Sequence, residues 1–477
     1  MSLRVCVITT PSPFLLDQKV FPALGILKVA AVLEQAGYEV DHLDLTGISN
    51  YEDAVRDYDG DATVFAITAT TPQMPSAVKV RRVLGNRGKI ILGGPHATLI
   101  HAAAKRGNER AKKALAEMLS EFDCVVAGDG EKSVFTALHS KGLVDADDPQ
   151  SVMWQSSKDF TESPWPARHL LNMDSYHYYI ESERAAHLQT QMGCPFGCRF
   201  CSGRNSPSLR QIRQRPPESV IAEILHLYNT YGYKGINLFD DELNVNREMI
   251  PLMKGLKEQA DKLGIEWKLR GFIKSELFTP EQAQAMFEAG FRWILVGFES
   301  GSDKILININ KRATRDENTR CMEIAHSHGL KVKALMSIGH AGESPETARD
   351  TYDWLLETKP DDLDVTVITP YPGSPYWDDA VDIGGGIYRY TAPKTGDFLF
   401  MEEVDFTQTA DYYKGILGSY VSHVWTDHLT RKELVEQRDW LELTAKEKLG
   451  IDMPPSAAAT MYESSMGMTP QILRSSK

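Results

Sequence analysis

The stretch Cys194-Pro195-Phe196-Gly197-Cys198-Arg199-Phe200-Cys201 places three cysteines in the spacing C-x3-C-x2-C. It directly follows an apolar run, His187 to Gln191, that predicts a β-strand. Thiolates suit iron–sulfur chemistry, and three of them on one short loop can hold three corners of a cubane cluster while a fourth iron stays open. The spacing therefore predicts an iron–sulfur site at the end of a strand.

A structural zinc site is the main alternative for this loop. Such a site takes four ligands and usually adds a second CxxC or HxxxH pair, and the neighbouring sequence has neither. Cys6, Cys124 and Cys321 lie in apolar strand or helix patterns, where a buried, unreactive thiol is the common case. The clustering of the other three cysteines indicates metal or redox chemistry rather than disulfides.

Around this loop, from about residue 186 to 380, strand patterns alternate with helical ones. Six strand–helix units predict a partial parallel (β/α)6 barrel of the TIM type, whose functional site lies at the carboxyl ends of the strands. The predicted strands are His187–Gln191, Gly235–Phe239, Glu266–Arg270, Trp293–Phe298, Val332–Ile338 and Asp364–Thr369.

Residues 1 to 145 alternate in the same way and predict a separate α/β domain, a doubly wound, Rossmann-like parallel sheet. Ligands of such sheets bind beyond the carboxyl ends of the strands. Two loops lie there, residues 93 to 98 and 128 to 131, and their glycines let backbone amides approach a ligand. Tight turns that only end the strands are the alternative interpretation. Residues 146 to 185 are predicted to be a linker.

Composition and charge limit the classes of partner. The chain has 477 residues, 42% hydrophobic and 25% charged, which is typical of two or three globular domains. Its formal net charge of -13 disfavours nucleic acid and anionic membranes, because both are bound through dense Lys and Arg contacts with phosphate. The N-terminus lacks a signal-peptide pattern, and the best apolar stretch, residues 20 to 33, is too short for a span. A cytoplasmic location without a membrane span is predicted.

The cysteine loop resembles that of the radical S-adenosylmethionine (SAM) superfamily, whose signature is CxxxCxΦC with an aromatic residue at Φ, here Phe200. The resemblance implies that Cys194, Cys198 and Cys201 hold a four-iron four-sulfur cluster whose open iron binds the amino and carboxylate groups of SAM. An electron from the cluster, supplied by a donor such as flavodoxin or ferredoxin, would break a carbon–sulfur bond. The products would be methionine and a 5'-deoxyadenosyl radical that abstracts hydrogen from carbon.

Polar residues at the predicted strand ends suit the same cofactor. Residues 239 to 242 take the place of the family's GGE segment, which contacts the methionine amino group; the glycines are missing, but carbonyls and acidic side chains can serve an ammonium. Arg270 is placed to pair with the methionine carboxylate, and Glu299 and Ser300 are placed to bond the ribose hydroxyls. Ligand-free polar residues at a barrel mouth are the alternative. The predicted SAM contacts are Phe200, Phe239, Asp240, Asp241, Glu242, Arg270, Glu299 and Ser300.

The first domain resembles the cobalamin-binding domain of one large radical SAM subclass. The resemblance rests on Phe21-Pro22-Ala23-Leu24-Gly25 and on the two glycine-containing loops. The DxHxxG motif that supplies an axial histidine in other cobalamin proteins is absent from the sequence, so His96 is not assigned as a cobalt ligand. The predicted cobalamin contacts are Gly93, Gly94, Pro95, His96, Ala97, Thr98, Gly128 and Glu131.

Both resemblances together imply a radical enzyme that transfers a methyl group from methylcobalamin to a carbon of a small molecule. An oxidative cyclase or rearrangement enzyme with the same cofactors is the first alternative, and a non-catalytic iron–sulfur protein is the second. A methylthiotransferase is disfavoured, because that group carries another cysteine triad in its N-terminal domain. Residues 381 to 477 are predicted to be a mainly helical substrate or cap region, with pocket candidates Tyr388, Tyr390, Trp425, His428 and Trp440.

Overall fold

The structure, a computed structural model, describes residues 3–15, 17–412 and 421–451. Its N-terminal part alternates strands with helices, as the sequence predicts. The strands are β1 (Arg4–Thr9), β2 (Glu39–Asp44), β3 (Val64–Thr68), β4 (Lys89–Gly93), β5 (Cys124–Ala127) and β6 (Gly142–Asp145). The helices are α1 (Leu24–Gln35), α2 (Tyr51–Arg56), α3 (Met74–Leu84), α4 (Pro95–Lys105), α5 (Glu109–Glu121) and α6 (Gly130–His139).

These strands form one parallel sheet in the order β2-β1-β3-β4-β5-β6. Side chains of β3 alternate between its faces, because successive residues of a strand point to opposite sides. Phe65 and Ile67 join one buried apolar cluster, whereas Val64 and Ala66 join a second one. Helices cover both clusters, and the predicted doubly wound sheet is confirmed.

The second sheet begins after the linker, which contains a short helix α7 (Ser157–Glu162). It is an open half-barrel of seven strands, of which six are parallel and the first is an antiparallel edge. The strands of this region are β7 (Tyr179–Ile180), β8 (Glu183–Leu188), β9 (Gln191–Met192), β10 (Arg213–Gln214), β11 (Gly235–Leu238), β12 (Lys268–Ile273), β13 (Trp293–Glu299), β14 (Lys331–Ile338) and β15 (Asp362–Val367).

Strands β9 and β10 form a separate two-stranded pair, and the half-barrel has the order β15-β14-β13-β12-β11-β8-β7. Several helices start with a capping box, such as Thr314 with Glu317 and Ser344 with Thr347, in which side chain and backbone satisfy each other's free groups. The helices are α8 (Pro207–Arg210), α9 (Pro217–Tyr231), α10 (Met249–Leu263), α11 (Pro280–Ala289), α12 (Asp303–Asn308), α13 (Arg315–Ser327), α14 (Pro345–Thr358) and α15 (Pro375–Asp378).

The third barrel strand is displaced from its predicted position. It was expected at residues 266–270 and lies at Lys268–Ile273. Gly271, Phe272 and Ile273 continue the ladder beyond Arg270, so that Lys274, not Arg270, stands at the carboxyl end. The predicted strand ends before Gly271, although β12 continues past this glycine and pairs there with β13.

The C-terminal region also differs from its prediction. It contains an antiparallel sheet, β16 (Val381–Gly384), β17 (Ile387–Thr391), β18 (Phe398–Glu402) and β19 (Val424–Trp425), before the helix α16 (Arg431–Leu449). The helical prediction holds for α16 and is wrong for these strands. In β17 and β18 buried side chains alternate with partly exposed ones, the period typical of a half-buried strand. Residues 452–477 of the predicted region lie outside the described residues.

Buried polar contacts fix the first sheet against the half-barrel. Arg213 of β10 donates to the Asp129 carboxylate of the first domain, and the Asp147 carboxylate accepts the Ser208 N–H at 2.8 Å. The Arg110 guanidinium lies 4.1 Å from the Trp377 ring centroid and 3.6 Å from the Tyr388 ring centroid. The carboxyl edges of both sheets are thereby held together. Within the described ranges, every helix is too short or too polar to span a bilayer.

Candidate active site and cofactor cavity

The cysteine loop leaves β9 and returns through α8 to β10, which pairs with β9 in antiparallel fashion. Gly193 begins the loop with φ +86°, and a Cβ at this position would lie 2.0 Å from the Gln211 carbonyl oxygen. Only glycine allows so close an approach of two backbone segments. The Cys194 N–H donates to the Leu209 carbonyl at 3.1 Å, so the loop is tied at its first cysteine.

Two arginines organise the carbonyls of the same loop. The buried Arg204 donates through Nη1 to the Cys194 carbonyl at 2.7 Å and to the Phe196 carbonyl, and Arg210 donates to the Pro195 carbonyl at 3.0 Å. Burial raises the pKa of the Cys201 thiol to about 12, while the Arg204 charge opposes that rise. The Arg204 charge therefore favours a thiolate at Cys201.

The donor set fits a cubane cluster better than a single ion. Over residues 3–15, 17–412 and 421–451, no three His, Cys, Asp or Glu side chains are arranged to hold one metal ion. A structural zinc needs its ligands to converge on one point, whereas each thiolate of a cubane binds a different iron at a separate corner. Three half-buried thiols on one tight loop are a donor set of the kind that a cubane takes.

The segment after β11 divides its three acids between different tasks. Asp240 is buried, and its carboxylate accepts the Thr190 N–H at 2.7 Å and the Gln191 N–H at 3.1 Å. It therefore holds the segment that leads to the cysteine loop. Asp241 is exposed. Glu242 is half-buried, and burial raises its pKa to about 7, while the charges of Lys311 and Lys274 oppose this rise. The structure brings these two acids to the mouth and ties Asp240 to the backbone.

Glu299 and Ser300, predicted as a pair, point in different directions. Glu299 has φ +68° and sits at a bulge in the pairing of β13 with β14. Its carboxylate accepts from Ser337 Oγ at 2.7 Å and lies 3.3 Å from Lys311 Nζ, so it belongs to the barrel mouth. Ser300 is 1% exposed and bonds Thr351 of α14 at 3.0 Å. The structure therefore does not bring Ser300 to the site.

Arg270 is likewise not at the mouth. It is 1% exposed within the barrel, where its guanidinium donates to the hydroxyl of Tyr178, the residue that precedes β7. The cations that lie near the cysteine loop include Arg204, Lys274 and Lys311, none of which the sequence analysis selected. A correct prediction of the end of β12 would have identified Lys274, because this residue directly follows the strand.

The two predicted aromatic contacts lie on different sides of the mouth. The Phe200 ring packs edge-on against His340, with centroids 5.3 Å apart. His340, which sequence analysis also missed, is buried and bonds Ser337 Oγ at 2.8 Å and the Tyr376 hydroxyl at 3.2 Å. Phe239 is 38% exposed, with Phe21 of the first domain 6.0 Å away, so its ring lies where the two domains meet.

A cavity of about 210 Å³ opens at the carboxyl edge of the first sheet. Most of the predicted cobalamin contacts line it: Gly93, Gly94, Pro95, Thr98, Gly128 and Glu131. His96 and Ala97 do not. His96 is 2% exposed, bonds Thr71 Oγ1 at 3.1 Å, and burial lowers its pKa to about 4. Ala97 is part of the apolar core.

The glycines around this cavity serve two purposes. A Cβ at Gly94 would lie 2.8 Å from Thr68 Oγ1, and a Cβ at Gly128 would lie 2.5 Å from the Ala146 carbonyl carbon, so both are required by packing within the protein. A Cβ at Gly93 would meet only the Val126 Cβ at 3.9 Å, and one at Gly25 would meet nothing within 4 Å. Gly93 and Gly25 therefore leave open a cradle that side chains would fill, as a bulky cofactor requires.

The cavity wall also includes residues that the sequence analysis did not select, and they come from both domains. Thr68, Asp129 and Ser133 supply polar groups from the first domain, whereas Met192 and Leu209 belong to the segments that flank the cysteine loop. No local pattern marks these residues, because the cavity forms only when the two domains dock. The two predicted sites are therefore neighbours that share a wall.

The aromatic candidates of the C-terminal region mostly pack within the protein. Tyr388 and Tyr390 are buried, and Tyr390 lies 4.7 Å from Tyr376 between ring centroids. Trp440 packs on Tyr352 at 5.0 Å. Trp425 stacks on Phe400 at 5.8 Å. His428 is exposed. These contacts favour the packing role over a pocket role.

Comparison with known proteins finds a family match for each of the two domains. Residues 188–355 match the Radical SAM superfamily, and residues 18–137 match the B12 binding domain. The uncharacterized methyltransferase PH0819 of Pyrococcus horikoshii is 28% identical over 380 residues, 76% of this chain and 78% of that protein. The anaerobic magnesium-protoporphyrin IX monomethyl ester cyclase of Cereibacter sphaeroides is 24% identical over 391 residues, 76% of this chain and 61% of the cyclase.

The fold also has a solved counterpart. The radical S-adenosylmethionine methyltransferase TsrM from Kitasatospora setae, solved with cobalamin and a four-iron four-sulfur cluster bound, superposes with a TM-score of 0.64 at 15% identity. The match covers 98% of this chain and 92% of TsrM, and at this identity it concerns the fold. The two domain matches confirm the predicted cofactors, which are an iron–sulfur cluster with SAM, and cobalamin. This chain belongs to the radical SAM superfamily, in the group that carries a B12-binding domain before the barrel.

Proposed function

We propose that the protein is a cobalamin-dependent radical SAM methyltransferase that methylates a carbon of a small-molecule substrate. In this proposal Cys194, Cys198 and Cys201 hold the cluster, and the cavity at the edge of the first sheet holds cobalamin. The electron comes from a low-potential protein such as flavodoxin or ferredoxin. All six cysteines are free thiols, which agrees with the reducing cytoplasm as the location.

One observation carries the proposal: the two cofactor sites share a wall. Leu209 lines the cavity, and its carbonyl oxygen accepts the N–H of Cys194 at 3.1 Å. Met192, two residues before Cys194, lines the same cavity. Methyl transfer between cofactors and a substrate requires reacting groups to be held close together and away from water. A cofactor cavity adjoining the cluster loop meets that requirement.

The protein's own groups then have separate roles. When bound, the cluster supplies the electron that cleaves SAM, and cobalamin supplies the methyl group. Asp241 and Glu242 accept from the methionine ammonium, and the Glu299 carboxylate accepts from ribose hydroxyls. Glu299 is held for this by Ser337 and Lys311. Phe200, backed by His340, covers one side of the loop and excludes water.

An oxidative ring closure or rearrangement with the same cofactors is the second candidate. It is favoured by the similarity to the magnesium-protoporphyrin ester cyclase, although that protein is longer and the match covers 61% of it. The two candidates differ in their products. Methyl transfer consumes SAM as a methyl source and yields S-adenosylhomocysteine, whereas a purely oxidative or rearranging reaction yields 5'-deoxyadenosine without it.

The test is anaerobic reconstitution with iron, sulfide and hydroxocobalamin, followed by incubation with SAM, a strong reductant and a panel of small-molecule acceptors. We expect both 5'-deoxyadenosine and S-adenosylhomocysteine, and a mass gain of one methylene in an acceptor. Formation of 5'-deoxyadenosine alone would replace the methyltransferase proposal with the second candidate. Protein that binds no iron under these conditions would refute both.

A further inference from the structure

The segment that follows α12 crosses directly beneath the cysteine loop. We call residues Ile309, Asn310 and Lys311 the strap. The Arg199 N–H donates to the Ile309 carbonyl at 2.8 Å, and Asn310 Nδ2 donates to the Gly197 carbonyl at 2.9 Å. Both bonds reach the part of the loop on either side of Cys198. The strap therefore braces the loop from a different element of the barrel.

The strap also brings a buried ammonium to this place. Lys311 is 4% exposed, and its Nζ lies 3.3 Å from Glu299 Oε1. Burial opposes the charged form of Lys311, but the Glu299 carboxylate at this distance favours it. A buried lysine that stays charged among anionic groups is the opposite of a neutral core lysine. Its charge is therefore present under working conditions.

A second lysine strengthens the arrangement. Lys274 Nζ donates to the Lys311 carbonyl at 3.0 Å and pairs with Glu276 at 2.6 Å. The same Nζ lies 4.4 Å from the ring centroid of Phe196 in the cysteine loop. The strap is thus bonded both to the loop above it and to the end of β12 below it, and its lysine cannot move away without breaking these contacts.

The backbone of the strap is shaped for this position. Asn310 has φ +53° and Arg312 has φ +63°, a left-handed conformation that non-glycine residues adopt at a cost. The two turns on either side of Lys311 aim its side chain into the barrel. Strain of this kind persists where surrounding contacts impose it and is concentrated at functional sites.

We propose that the strap is the positioning element of the iron–sulfur site, in which Lys311 raises the cluster's reduction potential and Asn310 keeps the loop closed on the cluster. The inference rests on the proposed function, because it takes the three cysteines as the ligands. A positive charge beside a cluster stabilises the more negative, reduced form, and weak screening in a buried site makes the effect large. Removing Lys311 also leaves the Glu299 carboxylate without its cation, and this uncompensated negative charge acts in the same direction.

The experiment compares reconstituted full-length variants by anaerobic redox titration, followed by the electron paramagnetic resonance signal of the reduced cluster. In Lys311→Met we expect iron content like that of the unaltered protein and a reduced-to-oxidised ratio at least about tenfold lower at a fixed potential, which for one electron is about 59 mV. Lys311→Arg keeps the charge and should restore most of the ratio. Lys268→Met is the matched control, because it removes a paired lysine from the opposite end of β12.

A second variant tests the brace without changing charge. Asn310→Gly tolerates the positive φ and removes only the side-chain bond to Gly197. We expect an unchanged potential and a several-fold faster loss of iron to a chelator. This variant keeps the inference testable even if Lys311→Met fails to fold.

The outcomes separate the inference from the proposed function. An unaltered protein that binds no cluster would refute the proposed function itself. An equal cluster potential in Lys311→Met and in the unaltered protein would overturn the charge role. This holds also if Lys311→Met weakens SAM binding without changing the potential. Equal iron loss from Asn310→Gly and the unaltered protein would overturn the brace.

Discussion

Leu209 lies on both cofactor sites at once: it lines the cavity at the edge of the first sheet, and its carbonyl accepts the Cys194 N–H at 3.1 Å. The first cysteine of the loop is thus bonded to a wall residue of the neighbouring cavity. The Cys194 carbonyl also accepts from Arg204, and the same guanidinium donates to the Phe196 carbonyl. A change on either side of this wall should be felt on the other.

Replacement of one predicted ligand should remove the cluster. In Cys198→Ala we expect loss of most iron and of the absorbance near 400 nm after anaerobic reconstitution, because two thiolates on a short loop hold a cubane poorly. Cys321→Ala is the control, since this thiol is fully buried in helix α13 away from the loop. Iron content and spectra check both. Full iron retention and turnover in Cys198→Ala would remove the basis of the proposed function.

Filling the cradle should block cobalamin and spare the cluster. A side chain at Gly93 has room for its Cβ, with Val126 Cβ as the nearest atom at 3.9 Å, so Gly93→Leu should fold while its isobutyl group occupies the cavity. We expect at least a tenfold weaker binding of hydroxocobalamin, about 1.4 kcal/mol, with unchanged iron. Ala116→Leu places the same isobutyl side chain on an exposed face of α5. Equal cobalamin affinity in the two variants would place the cofactor elsewhere.

The buried ion pair between the domains should behave as a unit. Arg213 donates to the Asp129 carboxylate, and burial raises the pKa of that carboxyl to about 6 although the Arg213 charge opposes it. Arg213→Met leaves the acid without its cation in the cavity wall, which costs about 3–5 kcal/mol for a buried pair. Thermal unfolding should show a clear drop in midpoint for the single variant. The double variant with Asp129→Asn should recover much of it, and strict additivity would contradict the coupling.

Stability should fall as the pH rises through neutrality, partly because of Glu343. This glutamate is 2% exposed, and burial raises its pKa from 4.5 to about 7, opposed by its bonds to Thr347 and Gly339. The folded state then binds the proton more tightly than the unfolded state does. The stabilisation is complete below pH 4.5 and is lost as the pH rises through 7, by about 3 kcal/mol in all.

The neutral isostere isolates this effect. In Glu343→Gln we expect a shallower decline of the thermal midpoint between pH 5 and pH 8, because the amide has no proton to lose. Glu346→Gln serves as the comparison, since its carboxyl is exposed in the first turn of α14, just after the loop that holds Glu343. Identical pH profiles for the Glu343 variant and the unaltered protein would show that this carboxyl does not titrate between the two states.

Local spacing was enough to predict the chemistry of the cysteine loop and the alternation of both sheets. Three thiolates within one turn-rich segment restrict the ligand class without any knowledge of distant residues. The periodicity of buried strands likewise depends only on neighbours in sequence. Strand ends were less well predicted. Arg270 was predicted at the mouth, but β12 extends past it and Lys274 lies there instead.

Side-chain direction could not be read from the sequence. Glu299 and Ser300 are adjacent, yet a left-handed residue at a bulge turns one to the mouth and the other to α14. His96 lies in a loop whose glycines line the cavity, but helix α4 has already begun there and turns its ring into the core. Such directions depend on backbone torsions and on which element packs behind the residue.

The sequence by itself determined that this chain carries a three-cysteine loop at a strand end and two parallel α/β sheets, because these follow from short-range spacing and periodicity. Only the tertiary structure decided that the cofactor cavity and the cysteine loop share the wall at Leu209, and that the strap bonds the loop on either side of Cys198. Both relationships join residues far apart in the chain. They arise when apolar faces pack and bring distant loops together, and no local pattern encodes that meeting.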